Sequence, residues 1–285
     1  MVFVVTAVLC GAAQSSLLVS TADVDRLNNA LLVDARPADA YAAAHIPGAL
    51  HLDVATLSET RDGVAGLLKP LDAVRRMLGG AGIDPAKRIV VYSAMDTPSD
   101  LSSVARLFWI LEYVGYQNVA VLDGGFAKWT AEGRKTETGE SKAAPIELPE
   151  MTVREDRLAT AANVDLLIKD KKGTLVDARG ADYFRGDKKT DVVKAAGHIP
   201  GAVNLPVDTC VAESTALKSW EELQEIAKSS GVQKGAPVVT YCNTGRSASA
   251  AYLVLRLLGY ENVSMYDGSM AEWTASGGRP VETGK

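Results

Sequence analysis

The chain contains 285 residues, enough for one large domain or two of medium size. Its 47% hydrophobic and 23% charged content is typical of globular proteins, and the net charge of -5 provides no basic surface for nucleic acid. The three cysteines and three histidines lack metal-ligand spacing, and the body of the chain has no apolar run of about 20 residues. We therefore expect no metal site, no membrane span and no nucleic-acid partner.

Residues 1–16 form a possible leader. Residues 2–13 are apolar, about as long as the core of a signal peptide, and end in small residues. Only Met1 precedes them, so the expected basic region is missing. Two interpretations stay open. An export signal that begins upstream would place the protein in the periplasm or outside the cell, whereas a leader without a targeting role is compatible with the cytoplasm.

The rest of the chain is an internal repeat. Four motifs occur twice, in the same order and 143 to 153 residues apart. They are Leu-Val-Asp-Ala-Arg (32–36 and 175–179), His-Ile-Pro-Gly-Ala (45–49 and 198–202), Gly-Tyr-x-Asn-Val (115–119 and 259–263) and Asp-Gly-x-x-Ala-x-Trp (123–129 and 267–273). A repeat this long indicates a domain duplication rather than a solenoid.

The repeat predicts an N-terminal domain (17–132), a polar, proline-containing linker (133–150) and a C-terminal domain (151–285). In the second half, short apolar runs predict four strands and helical stretches predict three helices. The strands are 174–177, 203–205, 238–241 and 263–266, and the helices are 220–228, 248–258 and 269–274. The strands are mostly continuous apolar runs, which favours an α/β fold in which helices cover both faces of each mostly parallel sheet.

Cys242 is the strongest candidate for a catalytic residue. It follows the predicted strand 238–241, precedes a predicted helix, and has Arg246 nearby. Ligands of parallel sheets bind outside the carboxyl ends of the strands. A helix N-terminus, loop amides and an arginine all favour thiolate over thiol.

The N-terminal domain has no nucleophile at the matching position. When the two halves are aligned through the preceding strand, Ser93 falls where Cys242 falls. The first loop carries Asp96 and Asp100, which would repel an anion, whereas the second loop carries one arginine and no carboxylate. We therefore expect a single active site, in the C-terminal domain.

Residues that occur in both halves are interpreted as scaffold, because only one half has a thiol. They include the pairs Asp34 and Asp177, Arg36 and Arg179, His45 and His198, and Trp129 and Trp273. A His198–Cys242 nucleophile pair is less favoured for the same reason. Cys210 has no basic or helix-cap neighbour in the sequence, and we expect it to be inert.

At these motifs the chain resembles the tandem-domain rhodanese family, the thiosulfate and 3-mercaptopyruvate sulfurtransferases, from residue 17 to residue 280. The resemblance implies two rhodanese-like domains, of which the second is catalytic. It also implies a six-residue catalytic loop, and no cofactor. That loop would consist of Cys242, Asn243, Thr244, Gly245, Arg246 and Ser247.

The resemblance implies a ping-pong mechanism through a persulfide of Cys242. The donor would be a small anion and the acceptor cyanide or a thiol, on a small molecule or a protein. Loop amides from Asn243 to Ser247 would bind the persulfide, Arg246 would hold the donor, and the Ser247 hydroxyl would donate to the sulfur. Gly245 would allow the tight reversal of the loop.

The choice of donor depends on two positions. Tyr183 stands where mercaptopyruvate enzymes carry an arginine, and Arg246 is typical of single-domain thiosulfate enzymes, so we expect thiosulfate, with mercaptopyruvate as the alternative. Arg185, Lys188 and Lys189 could add charge at the donor site or could form a solvated patch.

The sequence bears on two rival functions. Cysteine phosphatases of a related fold carry Cys-x5-Arg, but that position is Ala248 here, which argues against phosphatase or arsenate reductase activity. The intact cysteine loop argues against a pure binding module, which would not need it. It leaves open a persulfide carrier that receives sulfur from a protein.

Overall fold

A computed structural model describes residues 17–141, 143–212, 217–275 and 277–284. The possible leader, including Cys10, lies outside the described residues. The described chain folds into two five-stranded parallel sheets covered by helices, so the predicted α/β fold class is confirmed. None of the helices that the structure describes has the length and apolar character needed to cross a bilayer.

The first sheet has the spatial order β1-β7-β6-β2-β3 and is parallel throughout. Two further strands of this domain, β4 and β5, form a separate hairpin. The strands are β1 (Leu18–Val19), β2 (Ala30–Asp34), β3 (Leu50–His51), β4 (Ser58–Arg61), β5 (Val64–Leu68), β6 (Arg88–Tyr92) and β7 (Val119–Leu122). The helices are α1 (Thr21–Val24), α2 (Ala38–Ala43), α3 (Leu71–Gly80), α4 (Pro98–Val114) and α5 (Gly125–Ala131), with a 3-10 turn at Val54–Leu57.

The second sheet repeats this order as β8-β12-β11-β9-β10. Its strands are β8 (Leu158–Ala159), β9 (Thr174–Asp177), β10 (Val203–Asn204), β11 (Val238–Tyr241) and β12 (Val263–Tyr266). The helices are α6 (Ala161–Asp170), α7 (Ala181–Arg185), α8 (Trp220–Ser229), α9 (Arg246–Leu257) and α10 (Ser269–Ala275), with 3-10 turns at Glu155–Arg157 and Val207–Cys210.

The apolar runs form central strands because helices cover both faces. All four residues of β11 are buried, as are all four of β9. The predicted start of α9 at residue 248 is wrong by two residues, because Gly245 takes a left-handed conformation (φ 82°) and starts the helix at Arg246. Arg246 and Ser247 therefore lie in the first helical turn.

The two domains pack through equivalent helices. α4 and α9 each follow the central strand of their sheet, and they lie against each other in one hydrophobic core. Glu112 of α4 forms an ion pair with Arg256 of α9 (3.0 Å) and accepts a hydrogen bond from the Tyr252 hydroxyl. This packing brings the start of α9 against the N-terminal domain.

Candidate active site

Cys242 lies at the carboxyl end of β11, directly before the turn into α9. Its exposed fraction is only 3%, so the residue is buried. Its carbonyl accepts a hydrogen bond from the Met270 N–H, and the carbonyl of Asn243 accepts one from the Ala271 N–H, both at 3.0 Å. The first turn of α10 thereby fixes the start of the loop.

Ser269 adds a third attachment. The Cys242 N–H donates to the Ser269 hydroxyl oxygen (3.1 Å), and that hydroxyl donates to the Tyr266 carbonyl (2.9 Å). Ser269 is fully buried and has a φ of 50°, in the left-handed region that non-glycine residues rarely adopt. The strained backbone aims this hydroxyl at the nucleophile's own peptide group.

The N-terminus of α9 is open to an anion. Gly245 caps it without a side-chain hydrogen bond, and among the described residues no carboxylate or hydroxyl bonds the first helical amides. In α4 the equivalent end is closed, because the Asp100 carboxylate accepts from the amides of Asp96 and Thr97. Free helix amides beside a cysteine can hold a developing sulfur anion.

A buried ion pair supports the loop from the neighbouring strand. Arg179 binds Asp177 at 2.6 Å, and its other terminal nitrogen donates to the Asn243 side-chain oxygen (3.2 Å). Burial lowers the pKa of Arg179, but the hydrogen bonds with Asp177 and the negative charges around it outweigh burial and raise that pKa. Arg179 thus stays cationic beside the loop.

The N-terminal domain completes the site. The backbone of Gly66 in β5 lies so close to Thr244 that a Cβ there would be 2.7 Å from the Thr244 Cβ. The exposed Arg246 donates to the Ser103 hydroxyl of α4 (2.8 Å). Residues of the domain without a nucleophile therefore form one wall of the loop.

Comparison with known proteins identifies this arrangement. A model of the rhodanese-like domain family matches residues 20–132 and again residues 160–276. The chain belongs to the rhodanese-like family.

The names of relatives of similar length refer to sulfur transfer or sulfur carriage. The 3-mercaptopyruvate sulfurtransferase of Escherichia coli (strain K12) is 30% identical over 255 residues, 87% of each chain. The sulfur carrier protein TtuD of Thermus thermophilus is 32% identical over 257 residues, 86% of this chain and 87% of the relative. The predicted tandem rhodanese family and sulfurtransferase class are thus confirmed.

Solved structures agree on the fold. SseA from Escherichia coli, described as having the rhodanese fold of 3-mercaptopyruvate sulfotransferases, is 27% identical with a TM-score of 0.77, covering 89% of this chain and 98% of that one. The anaerobic ergothioneine biosynthesis enzyme from Chlorobium limicola is 23% identical with a TM-score of 0.82. It shares the fold, and the match covers 91% of this chain and 65% of that longer chain.

The first rhodanese-like domain has its equivalent site filled. Ser93 is buried and donates to the Asp100 carbonyl (2.8 Å). The neighbouring Met95 is also buried, and its side chain packs against Gly125. A Cβ built on Gly125 would lie 2.6 Å from the Met95 Cγ. An apolar side chain and a capping carboxylate thus occupy the space that an anion would need.

The predicted site residues do not all meet in the structure. Cys242, Asn243, Thr244, Gly245, Arg246 and Ser247 form one continuous turn. Arg185 lies apart, with its guanidinium in ion pairs with Asp182 (2.7 Å) and Asp187 (2.9 Å). None of the contacts among the described residues joins Arg185 to the loop, so its role in donor binding stays a prediction.

The repeated residues have scaffold contacts. The His198 ring stacks on Phe184, one nitrogen bonds the Phe184 carbonyl (2.7 Å) and the other faces Glu282. His45 repeats this with Tyr41 and Glu137. Burial raises the pKa of the Cys210 thiol to about 11, so this second cysteine stays protonated at neutral pH.

Sequence reasoning missed the residues that reach the loop from outside it. Gly66 and Ser103 gave no signal, since nothing in the sequence says that they face the other domain. Ser269 had a signal, because the repeat has Gly125 in its place, and residues present in only one half are candidates for the chemistry.

Proposed function

We propose that the protein transfers the outer sulfur of thiosulfate to cyanide or a small thiol through a persulfide on Cys242. The Cys242 thiolate attacks the outer sulfur and forms a new S–S bond. The bond between the two donor sulfurs breaks, and its electron pair leaves with sulfite. The acceptor then attacks the same outer sulfur, and the electron pair of the persulfide bond returns to Cys242.

The observation that carries this proposal is the open N-terminus of α9 directly behind Cys242. Its amides support a negatively charged sulfur without a metal or a proton donor. Arg246, exposed in the first turn, supports the binding of the donor's sulfonate oxygens by charge-assisted hydrogen bonds.

Two observations bear on the donor. The exposed Arg246 in the loop and Tyr183 in α7 favour thiosulfate, for the reasons given from the sequence. Mercaptopyruvate is the second candidate, because the Escherichia coli relative is named for it. The name of the Thermus thermophilus relative favours a third role, in which the persulfide passes to a protein.

Mass spectrometry after incubation with thiosulfate tests the intermediate. We expect an adduct of about 32 Da, one sulfur atom, on the wild-type chain and none on Cys242→Ser. Cys210→Ser is the matched control, since its thiol is buried and protonated, and it should retain the adduct. An adduct that survives in Cys242→Ser would refute the proposed nucleophile.

Steady-state rates test the donor. Thiosulfate and mercaptopyruvate are compared side by side with cyanide as acceptor, and with a protein thiol as a third arm. We expect a higher kcat/KM with thiosulfate, and a higher value with mercaptopyruvate would refute the donor assignment while leaving the Cys242 intermediate intact.

A further inference from the structure

A buried carboxylate lies against the start of α9. Asp267 follows β12, and its side chain is 10% exposed. One oxygen accepts the Leu68 N–H from the hairpin of the other domain (2.7 Å), which gives this carboxylate a scaffold role. A Cβ placed on Gly245 would lie only 2.9 Å from its second oxygen, so the carboxylate touches the residue that caps α9.

A negative charge at this place opposes the site's chemistry. The amides that would hold an anionic sulfur begin at the residue that Asp267 touches. Gly245 lies three positions after Cys242, which limits the distance between their Cα atoms to about 11 Å. At an effective dielectric constant of about 20, one unit charge at roughly 10 Å changes an anion's affinity by about tenfold.

The first domain neutralises its equivalent carboxylate locally. There Asp123 forms an ion pair with Lys128, five residues later (2.6 Å). In the second domain the position of Lys128 is taken by Glu272, which adds a second carboxylate instead of a cation. The C-terminal domain therefore lacks the local partner that its twin has.

The missing charge comes from the other domain. Arg106 of α4 is 2% exposed and pairs with the Asp267 oxygen nearest Gly245 at 2.6 Å. It also donates to the Gly66 carbonyl (3.3 Å) and stacks over Trp109. These contacts fix the guanidinium against the carboxylate.

We propose that Arg106 is a positioning residue of the active site, which holds and neutralises Asp267 so that the start of α9 keeps a positive potential toward anions at Cys242. The N-terminal domain thus contributes electrostatically to a reaction for which it has no nucleophile. The inference rests on the proposed function only in taking the ligand of the loop to be an anion.

Alkylation of Cys242 measures this potential without any sulfur donor. The rate with anionic iodoacetate is divided by the rate with neutral iodoacetamide. Both reagents need the same thiolate, so the ratio reports the potential felt by an approaching anion. For Arg106→Met we expect this ratio to fall about tenfold, because the Asp267 charge is no longer compensated.

Two further variants separate charge from structure. In Arg106→Met combined with Asp267→Asn both charges are absent, and the ratio should return to within about twofold of the wild type. Arg256→Met is the matched control, because it also removes a cation from an interdomain ion pair. Arg256 lies ten residues along α9 from Arg246, about 15 Å away, so the ratio should fall by less than in Arg106→Met.

An unchanged ratio in folded Arg106→Met would overturn the inference, and so would a lowered ratio that Asp267→Asn does not restore. If Arg106→Met does not fold, as judged by circular dichroism, Arg106→Lys and the double variant decide. Both should give a ratio near the wild type, and a tenfold loss in either would refute the proposal. Failure of the wild type to use thiosulfate would refute the proposed function but leave this measurement valid.

Discussion

The substitution Gly66→Ala tests whether the N-terminal domain shapes the catalytic loop. Gly66 has a φ of 83°, and its added Cβ would lie 2.7 Å from the Cβ of Thr244 and 2.8 Å from its carbonyl oxygen. Ordinary contacts between carbon atoms are about 3.5–4.0 Å, so the loop or the hairpin must move by about 1 Å.

The same hairpin provides a matched control. Gly63 has a φ of 76°, but a Cβ there would meet no atom within 4 Å. Alanine at either position costs about 1–2 kcal/mol of backbone strain. Only alanine at position 66 adds the overlap with the loop, which costs roughly 1–3 kcal/mol more in unfolding free energy.

The expected difference is larger in activity than in stability. A misplacement of about 1 Å near the reacting atoms lowers the rate by as much as about 100-fold. We therefore expect kcat/KM for sulfur transfer to be about 10–100-fold lower in Gly66→Ala than in Gly63→Ala, with stabilities measured by urea unfolding. Equal kcat/KM values for the two folded variants would refute the idea that the hairpin positions the loop.

Three other predictions concern single groups. Arg246→Ala should slow persulfide formation by about 1.5–3 kcal/mol, as one charge-assisted hydrogen bond to the donor is lost, while sulfur release from a preformed persulfide stays unchanged. Stopped-flow of each half-reaction checks this, and equal slowing of both would contradict the assignment. Ser93→Cys should gain no second sulfur adduct by mass spectrometry, because Asp100 and Met95 occupy that site. Burial raises the pKa of Cys210 from 9.0 to about 11, so the folded chain retains a proton that the unfolded chain releases. Stability should therefore fall as pH rises from about 9 to 11, and Cys210→Ala should flatten this slope in urea titrations.

The repeat made the fold and the position of the nucleophile predictable. Apolar runs at residues 174–177, 238–241 and 263–266 became β9, β11 and β12 with the predicted bounds, because buried parallel strands need apolar residues on both faces. Aligning the halves also identified the position of Ser93, and its loop proved to be closed by Asp100.

The contacts between the domains could not be predicted in the same way. Arg106 and Asp267 are separated by about 160 residues, and neither lies in a motif that signals an ion pair. The hairpin of β4 and β5 also escaped prediction, because β4 reads Ser-Glu-Thr-Arg and has no apolar residue to signal a strand. The start of α9 was missed because Arg246 and Ser247 were assigned to the loop, whereas the helix begins directly after the left-handed Gly245.

The 3% exposure of Cys242 has a consequence for whatever receives the sulfur. A broad, folded surface is too blunt to contact the sulfur of so deeply buried a residue. Cyanide or a free thiol is slender enough to enter, and a macromolecular recipient would have to extend an unstructured terminus as an arm. Steric access thus selects recipients by width before affinity selects among them.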